Sequence, residues 1–395
     1  MESSRIDQKI DTYSSLTDVS IKYDFDYYPN NHKHIKFGTK LSYLFFQPEK
    51  TKIDTSNTSI ESQYRAPILD FYMNDEIALY ESLSLNVGFR QSSIKRGEKY
   101  SVHFMPRVSA RLVVNPEISL KAGYSRMVQH LHQLTNPSLS YPTIMWVLSN
   151  ESLESSVSNL SSLGFYYLHC SGLEFLAETY YNTMNRVIDY LPGKENFKID
   201  EAHWDESVMT GIGRTYGIEL FVKHRIDSYS GQLSYTWSRS LRKYDALEYV
   251  GWYPYIYDRP HNISLQVTKE FETREDAKFN KRLAINFNYM SGHMLSFSNY
   301  TLPAILPNEL NGYKTWLNDF NYYIPSPNNV RLPAVHHLDL AFHLDNKTKE
   351  KSSWMFSVYN LYNRKNISFY FIQNKQIKGV TLLPIMPSVT WNYKF

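Results

Sequence analysis

Apolar and polar side chains alternate one by one along most of this chain, and that period predicts β-strands. The clearest run closes the sequence. Val389, Trp391, Tyr393 and Phe395 fall on one face, and Thr390, Asn392 and Lys394 on the other, because successive side chains of a strand point to opposite sides. Near the start, Val19, Ile21, Tyr23, Phe25 and Tyr27 interleave with Ser20, Lys22, Asp24 and Asp26. Further on, Leu83, Leu85, Val87 and Phe89 oppose Ser84, Asn86, Gly88 and Arg90, and Leu283, Ile285, Phe287 and Tyr289 oppose Arg282, Ala284, Asn286 and Asn288. No comparable stretch has a helical period. The runs give about fifteen strands, near 16–28, 34–46, 66–79, 82–93, 102–114, 117–128, 157–168, 173–188, 212–226, 231–242, 259–271, 279–290, 332–345, 352–363 and 381–395.

A soluble β-sandwich alternates in the same way. Three features point elsewhere. The runs are about 9 to 14 residues long, beyond the usual 5 or 6 of globular strands. Their apolar faces end in Tyr, Trp and Phe, as the girdles of membrane barrels do. The links also alternate in length. Tight ones include Pro29-Asn30-Asn31-His32, Asn115-Pro116-Glu117, Cys170-Ser171-Gly172, Asp227-Ser228-Tyr229-Ser230 and Asn346-Lys347-Thr348-Lys349. Long ones lie near 48–64, 129–155, 190–210, 240–257, 291–330 and 365–380. Short turns at one end and long loops at the other are the pattern of outer-membrane barrels, with the short turns periplasmic.

Composition sharpens this reading. The chain has 395 residues with 33 Tyr, 21 Phe and 7 Trp. Mean hydropathy is −0.45, and no run approaches the roughly 18 apolar residues of a spanning helix. A barrel is exempt from that test, since half of each strand is polar. Net charge is +3 with both signs mixed, so no nucleic-acid surface is indicated. The single cysteine, Cys170, lies in a turn-like run and has no internal disulfide partner. No linker or second domain interrupts residues 1–395. The first residues, Met1-Glu2-Ser3-Ser4-Arg5, lack the apolar core of a secretory signal. An odd strand count places the two ends on opposite sides, whereas bacterial single-chain barrels have even counts. The expectation is the C-terminal portion of a larger barrel.

Several runs carry a family resemblance. They are Tyr124 to His132 (YSRMVQHLH), Gly213 to Leu220 (GRTYGIEL), Leu233 to Arg242 (LSYTWSRSLR), Trp252 to His261 (WYPYIYDRPH) and Arg331 to Asp339 (RLPAVHHLD), followed by Val358 to Arg364 (VYNLYNR) and the terminal Pro384 to Phe395. With these in order, nearly all of the chain resembles the TonB-dependent outer-membrane receptors, above all the subfamily with a carboxypeptidase-regulatory-like domain before its plug. The resemblance implies an all-β, antiparallel transmembrane β-barrel of which this chain holds about 15 of 22 strands, without the plug. It implies uptake of an iron chelate, vitamin or oligosaccharide in the outer membrane. Expected partners are outer-membrane lipid, the barrel-assembly machinery, a small-molecule or oligosaccharide ligand, and TonB through a plug segment this chain lacks. No cofactor and no catalysis are implied. A plugless porin or surface adhesin is the first alternative, and a barrel hydrolase the second.

Candidate residues follow. The link aromatics Trp252, Tyr253, Tyr255, Tyr257, Trp316, Tyr322, Tyr323, Tyr141 and Trp146 are candidates for ligand stacking, or for packing loop against loop. The polar-face charges Asp70, Arg107, Arg111, Glu174, Glu178, Glu219, Lys223 and Asp339 are candidates for a lumen wall that contacts plug or substrate. Glu174 and Glu178 have no nucleophile or paired His in a readable motif, which argues against acid–base catalysis. The pairs His130/His132, His336/His337 and His32/His34 offer metal ligands, but a site needs three or four converging, so none is expected. Trp391, Tyr393 and Phe395 are expected to form the barrel-assembly signal.

Overall fold

A computed structural model describes residues 10–53, 56–61, 64–135, 144–191, 204–272, 274, 276–296, 300–303, 320–323, 326–347, 352–373 and 376–394. Strands dominate it. Fifteen long strands form an antiparallel meander, each paired with its neighbours in the sequence: β1 (Ile10–Asn30), β2 (Lys33–Ile53), β3 (Tyr64–Tyr80), β4 (Leu83–Arg96), β5 (Lys99–Val113), β6 (Ile118–Gln129), β7 (Ser156–Leu168), β8 (Glu174–Tyr190), β9 (Val208–Ile226), β10 (Tyr229–Tyr244), β11 (His261–Phe271), β12 (Phe279–Met290), β13 (Val335–Asn346), β14 (Ser352–Tyr359) and β15 (Met386–Tyr393). Two short pieces, Ser56–Glu61 and Tyr253–Pro254, bring the sheet to 17 strands. Among the described residues no ladder joins β1 to β15, so the sheet is open between them. Among the described residues no helix is long and apolar enough to cross a membrane.

The first strands run further than their alternation suggests, whereas β14 and β15 stop short of the expected runs 352–363 and 381–395. The first two expected runs, 16–28 and 34–46, are the middles of β1 and β2, which extend to Ile10 and Ile53. The division between short and long links holds with one exception. Arg96 and Lys99 face each other across a two-residue turn, Gly97-Glu98, at the long-link end. That turn is covered by the next link. The Glu98 N–H donates to Glu151 Oε1 at 2.7 Å, and Arg96, 6% exposed, donates to the Asn150 carbonyl at 2.7 Å.

The two faces of the sheet differ chemically. One cross-strand row reads Leu120–Phe165–Ala177–Leu220–Tyr235–Ile263–Tyr289. The row displaced by one residue, on the opposite face, reads Arg111–Lys121–Gly164–Glu178–Glu219–Thr236–Asn262. The apolar face is left open, with Ile21, Leu41, Leu163, Ile218, Leu233 and Val389 all exposed. A layer of exposed apolar side chains this broad requires lipid around it. On the polar face, tyrosines lie across glycines of the next strand. Tyr72 faces Gly38, and Tyr180 faces Gly217. A Cβ on Gly217 would come within 2.9 Å of the Tyr180 hydroxyl, so the missing side chain makes room for the ring.

Buried apolar clusters occur at the long-link end. Leu44, Phe46, Ala66, Ile68 and Ile94, from the ends of β2, β3 and β4, pack under Leu148. Leu134, Val147 and Leu153 pack with Tyr190 of β8. Met209, Tyr244, Leu247 and Tyr253 form the third. The links therefore fold back onto the sheet with cores of their own.

Leu265 and Gln266 are neighbours on β11 that face opposite ways. Leu265→Arg is expected to cost about 2–4 kcal/mol if it lies near the bilayer midplane and to deplete the protein from the outer-membrane fraction. Gln266→Arg, on the wet side, should leave the amount near wild type. Equal depletion by both would refute the assignment of faces.

Candidate functional site at the long-link end

The link between β10 and β11, residues 245–260, is the best-defined part of the site. Tyr253–Pro254 adds a short strand against Leu241–Arg242. This turns the Tyr253 ring into the cluster with Tyr244, their centroids 6.1 Å apart, and leaves Tyr253 3% exposed. Of the four aromatics predicted in this link, Tyr253 is a packing residue in this geometry. The other three sit nearer the surface. The Arg242 guanidinium lies 4.2 Å from the Tyr255 ring, and that of Arg214 lies 4.3 Å from the Trp252 ring. Tyr257 meets Tyr255 edge-on at 5.5 Å and is 47% exposed. Burial pushes the Tyr255 hydroxyl up to about 12, so it stays protonated and able to donate.

Asp258 ties this link to the next. Its carboxylate is fully buried and accepts from Arg331 Nη2 at 2.6 Å, Arg239 Nε at 3.3 Å and the Ser240 N–H at 2.7 Å. Arg331 also donates to the Gly292 carbonyl at 2.9 Å. One carboxylate thus joins a wall strand, its following link and the link 291–334. Neither Asp258 nor Arg331 stood among the expected site residues. Both lie inside the runs that carried the resemblance, which was the available signal.

The link between β6 and β7 carries a hairpin, Leu131–Thr135 against Ile144–Leu148. It is pinned by histidines and serines. His130 bonds Ser92 Oγ at 3.0 Å through Nε2 and Ser155 Oγ at 2.7 Å through Nδ1. His132, 4% exposed, bonds Ser149 at 2.9 Å and Ser156 at 3.3 Å. With all four ring nitrogens engaged by hydroxyls, this pair is a fastening. Burial lowers both rings to about 4, so they are neutral at pH 7. Trp146, on the same hairpin, is 39% exposed.

The eight wall residues share the polar face and fall into rows. Arg111, Glu178 and Glu219 stand in the row given above. Glu174, Lys223 and Asp339 stand in another, Glu174–Lys223–Gln232–Gln266–Asn286–Asp339. Lys223 reaches Glu174 at 3.1 Å. Glu178 and Glu219 are directly opposed, an arrangement of like charges that needs water or a cation nearby. Asp70 is 4% exposed and paired with Arg90 at 2.5 Å. Asp339 is spent on a turn: it accepts the N–H of fully buried Asn360 at 2.9 Å and bonds His337 at 3.0 Å. Arg107 lies opposite Gly88 and Ser125.

Tyr322 and Tyr323 lie on Phe320–Tyr323, paired with Tyr300–Pro303. Tyr141, Trp316 and Phe395 fall outside the described residues. His336 and His337 point to opposite faces, His336 bonding Tyr362 at 2.6 Å. His34 bonds Asp26 at 2.7 Å. Among the described residues, Glu117, His169 and Cys170 are the one group whose ligand atoms converge within 4.8 Å, at two turns of the short-link end. Trp391 stacks on Trp354 at 6.1 Å and stands exposed on the apolar face with Tyr393.

These features meet a family model described as TonB dependent receptor-like, beta-barrel, which matches residues 3–361. The chain belongs to the TonB-dependent receptor β-barrel family. Solved structures agree in fold. The ferric yersiniabactin uptake receptor FyuA from Yersinia pestis matches with a TM-score of 0.67 and 12% identity, over 98% of this chain and 55% of that one. The FrpB iron transporter from Neisseria meningitidis gives 0.63 and 11%, over 96% and 55%. BauA, the ferric preacinetobactin receptor from Acinetobacter baumannii, gives 0.61 and 12%, over 98% and 55%. The chain thus spans about half the length of the solved receptors it matches. No curated protein matches it by sequence.

Removing the Asp258 carboxylate leaves two guanidinium groups facing a void. Asp258→Ala is expected to cost about 3 kcal/mol of local stability and to expose both links 245–260 and 291–334 to protease while the strands stay protected. Cleavage confined to one link would show that no clamp joins them.

The β6–β7 link should also open in acid. Unfolded His132, near 6.5, takes up a proton that the folded ring, at about 4, refuses. Its contribution is complete above pH 6.5 and is lost as pH falls from there towards 4. At pH 5 the loss is on the order of 2 kcal/mol. Hydrogen exchange of residues 144–149 is expected to be faster, relative to the wall, at pH 5 than at pH 7.5. His132→Gln should flatten that dependence.

Proposed function

We propose that this chain forms the wall and extracellular ligand surface of an outer-membrane receptor for TonB-energised uptake of an iron chelate. The observation that carries the reading is the layer of links folded onto the long-link end of a two-faced sheet. There Arg242, on the polar face, lies over the Tyr255 ring. A flat aromatic face backed by a fixed cation suits a planar, anionic chelate better than a neutral sugar. The solved relatives named above are receptors for ferric chelates or an iron transporter, which supports the same class. The charged rows of the polar face, Arg111–Lys121 beside Glu178–Glu219, are then the wall against which a plug or the passing ligand rests. Trp391, Tyr393 and Phe395 serve barrel assembly. The runs Trp252 to His261 and Arg331 to Asp339 support a place in the subfamily with a carboxypeptidase-regulatory-like domain. The chain contributes about fifteen strands to a larger barrel, and TonB acts through a plug.

Disruption of the gene in its host, with uptake of labelled ferric chelate, vitamin and oligosaccharide followed in parallel, tests this. Chelate uptake is expected to fall at least tenfold and to return with the gene. Tyr255→Ala with Arg242→Gln should weaken chelate binding roughly tenfold, about 1.4 kcal/mol, at unchanged protein level. Undiminished uptake of all three solutes, with a fall in passive permeability instead, would favour a plugless porin.

A further inference from the structure

The apolar face holds a feature that nutrient uptake does not need. Across β5 to β10 it sinks into a groove of about 810 Å³. The floor is made by small residues, Ala110, Ala122 and Ser161, and the sides by Tyr124, Tyr181 and Tyr216. The floor follows from register. Ala110 faces Ala122, Ser161 sits between Tyr124 and Tyr181, and Tyr181 faces Tyr216.

One row nearer the long links, the same face turns basic. Arg126, Asn159, Thr183 and Arg214 stand side by side on four consecutive strands. Among the described residues neither arginine forms a salt bridge. Arg214 is braced by the Trp252 ring at 4.3 Å, and its Nε has no hydrogen-bond partner. The Tyr124 hydroxyl donates to Asn159 Oδ1 at 3.1 Å, which leaves the Asn159 amide N–H groups free to donate. Cations on a lipid-facing surface are costly in hydrocarbon and stable at the headgroup level. This row therefore marks the membrane boundary on the long-link side. The groove begins two residues below it, about 7 Å along the strands, within the ~15 Å half-thickness of the hydrocarbon.

We propose that this groove holds a resident membrane lipid with an anionic phosphate headgroup. An acyl chain lies over Ala110 and Ala122, and the phosphate is held by Arg126 and Arg214 with Asn159 and Thr183 between them. Charge decides the occupant. A hydrocarbon chain alone would fill the groove but leave two guanidinium groups without an anion. A free phosphate would answer the charge but leave the groove bare. The inference rests on the lipid-facing assignment of the apolar face and not on which nutrient is taken up.

The whole receptor, purified from outer membranes in neutral detergent, is offered dioleoylphosphatidylglycerol or dioleoylglycerol and followed by native mass spectrometry. Retention of the phosphatidylglycerol is expected to exceed that of the neutral lipid at least tenfold. Arg126→Gln with Arg214→Gln should remove that preference, and Ala122→Trp should remove retention by filling the floor. Asn159→Lys, which adds a cation to the row, should raise retention at least twofold, so the idea stays testable if the double variant fails to assemble. Arg111→Gln, on the wet face, should change nothing. Wild-type retention by the double variant would overturn the proposal. So would displacement of the lipid by sodium phosphate alone. A dimer that Ala122→Trp abolishes while lipid retention persists would assign the groove to a second copy of the chain.

Discussion

Inside a bilayer every peptide N–H and C=O must find a partner within the protein, because hydrocarbon offers none and each unmet group costs several kcal/mol. That constraint shapes the whole molecule. From β2 to β14 both edges of each strand are spent on antiparallel ladders. Among the described residues β1 and β15 use one edge each, which leaves about a strand's length of unpaired backbone on either side. The receptors that match in fold are nearly twice as long as this chain. Strand edges left open in this way are costly in lipid.

Once the backbone is satisfied by the ladder, the side chains are free to serve two solvents. A one-residue step in register separates Leu120–Phe165–Ala177–Leu220 from Lys121–Gly164–Glu178–Glu219. Neither row could lie where the other does, which is why the register is tightly specified. The links are under a different rule. They leave the ladder and must build cores from local material, so Leu134, Val147 and Tyr190 gather in one place and Met209, Tyr244 and Tyr253 in another. Aromatic residues there divide between holding the link together and facing outward. Tyr253 does the first and Tyr257 the second.

The strands were legible because their signal is local. Alternation over Leu83 to Arg90 is enough to place β4, and the same holds for β12 and β13. Strand ends were less legible. β1 and β2 continue past their clean alternation, since ladder pairing with a neighbour carries on where the apolar face stops. The links were hardest. The partner of Asp258 lies 73 residues away at Arg331, and the serines that engage His130 come from both β4 and its own link. No periodicity encodes such meetings. Composition marked Trp252 to Tyr257 as an aromatic cluster, but only the short strand at Tyr253–Pro254 decides which ring is turned inward.

A buried carboxylate between two arginines is a poor device for stability, since desolvation offsets most of the attraction. Its value here lies in position. Arg239 belongs to a rigid wall strand, Asp258 to the link that follows it, and Arg331 to the far end of the next. The ladder holds the first, and the clamp carries that fixed position to the other two. The Arg242–Tyr255 and Arg214–Trp252 pairs join wall strands to the same link, so they inherit the same reference. On the proposed function, a ligand meeting the Tyr255 ring would find it already placed and would lose less entropy in ordering it. The wall's hydrogen bonds, required by the membrane, thereby set the geometry of a surface that lies outside it.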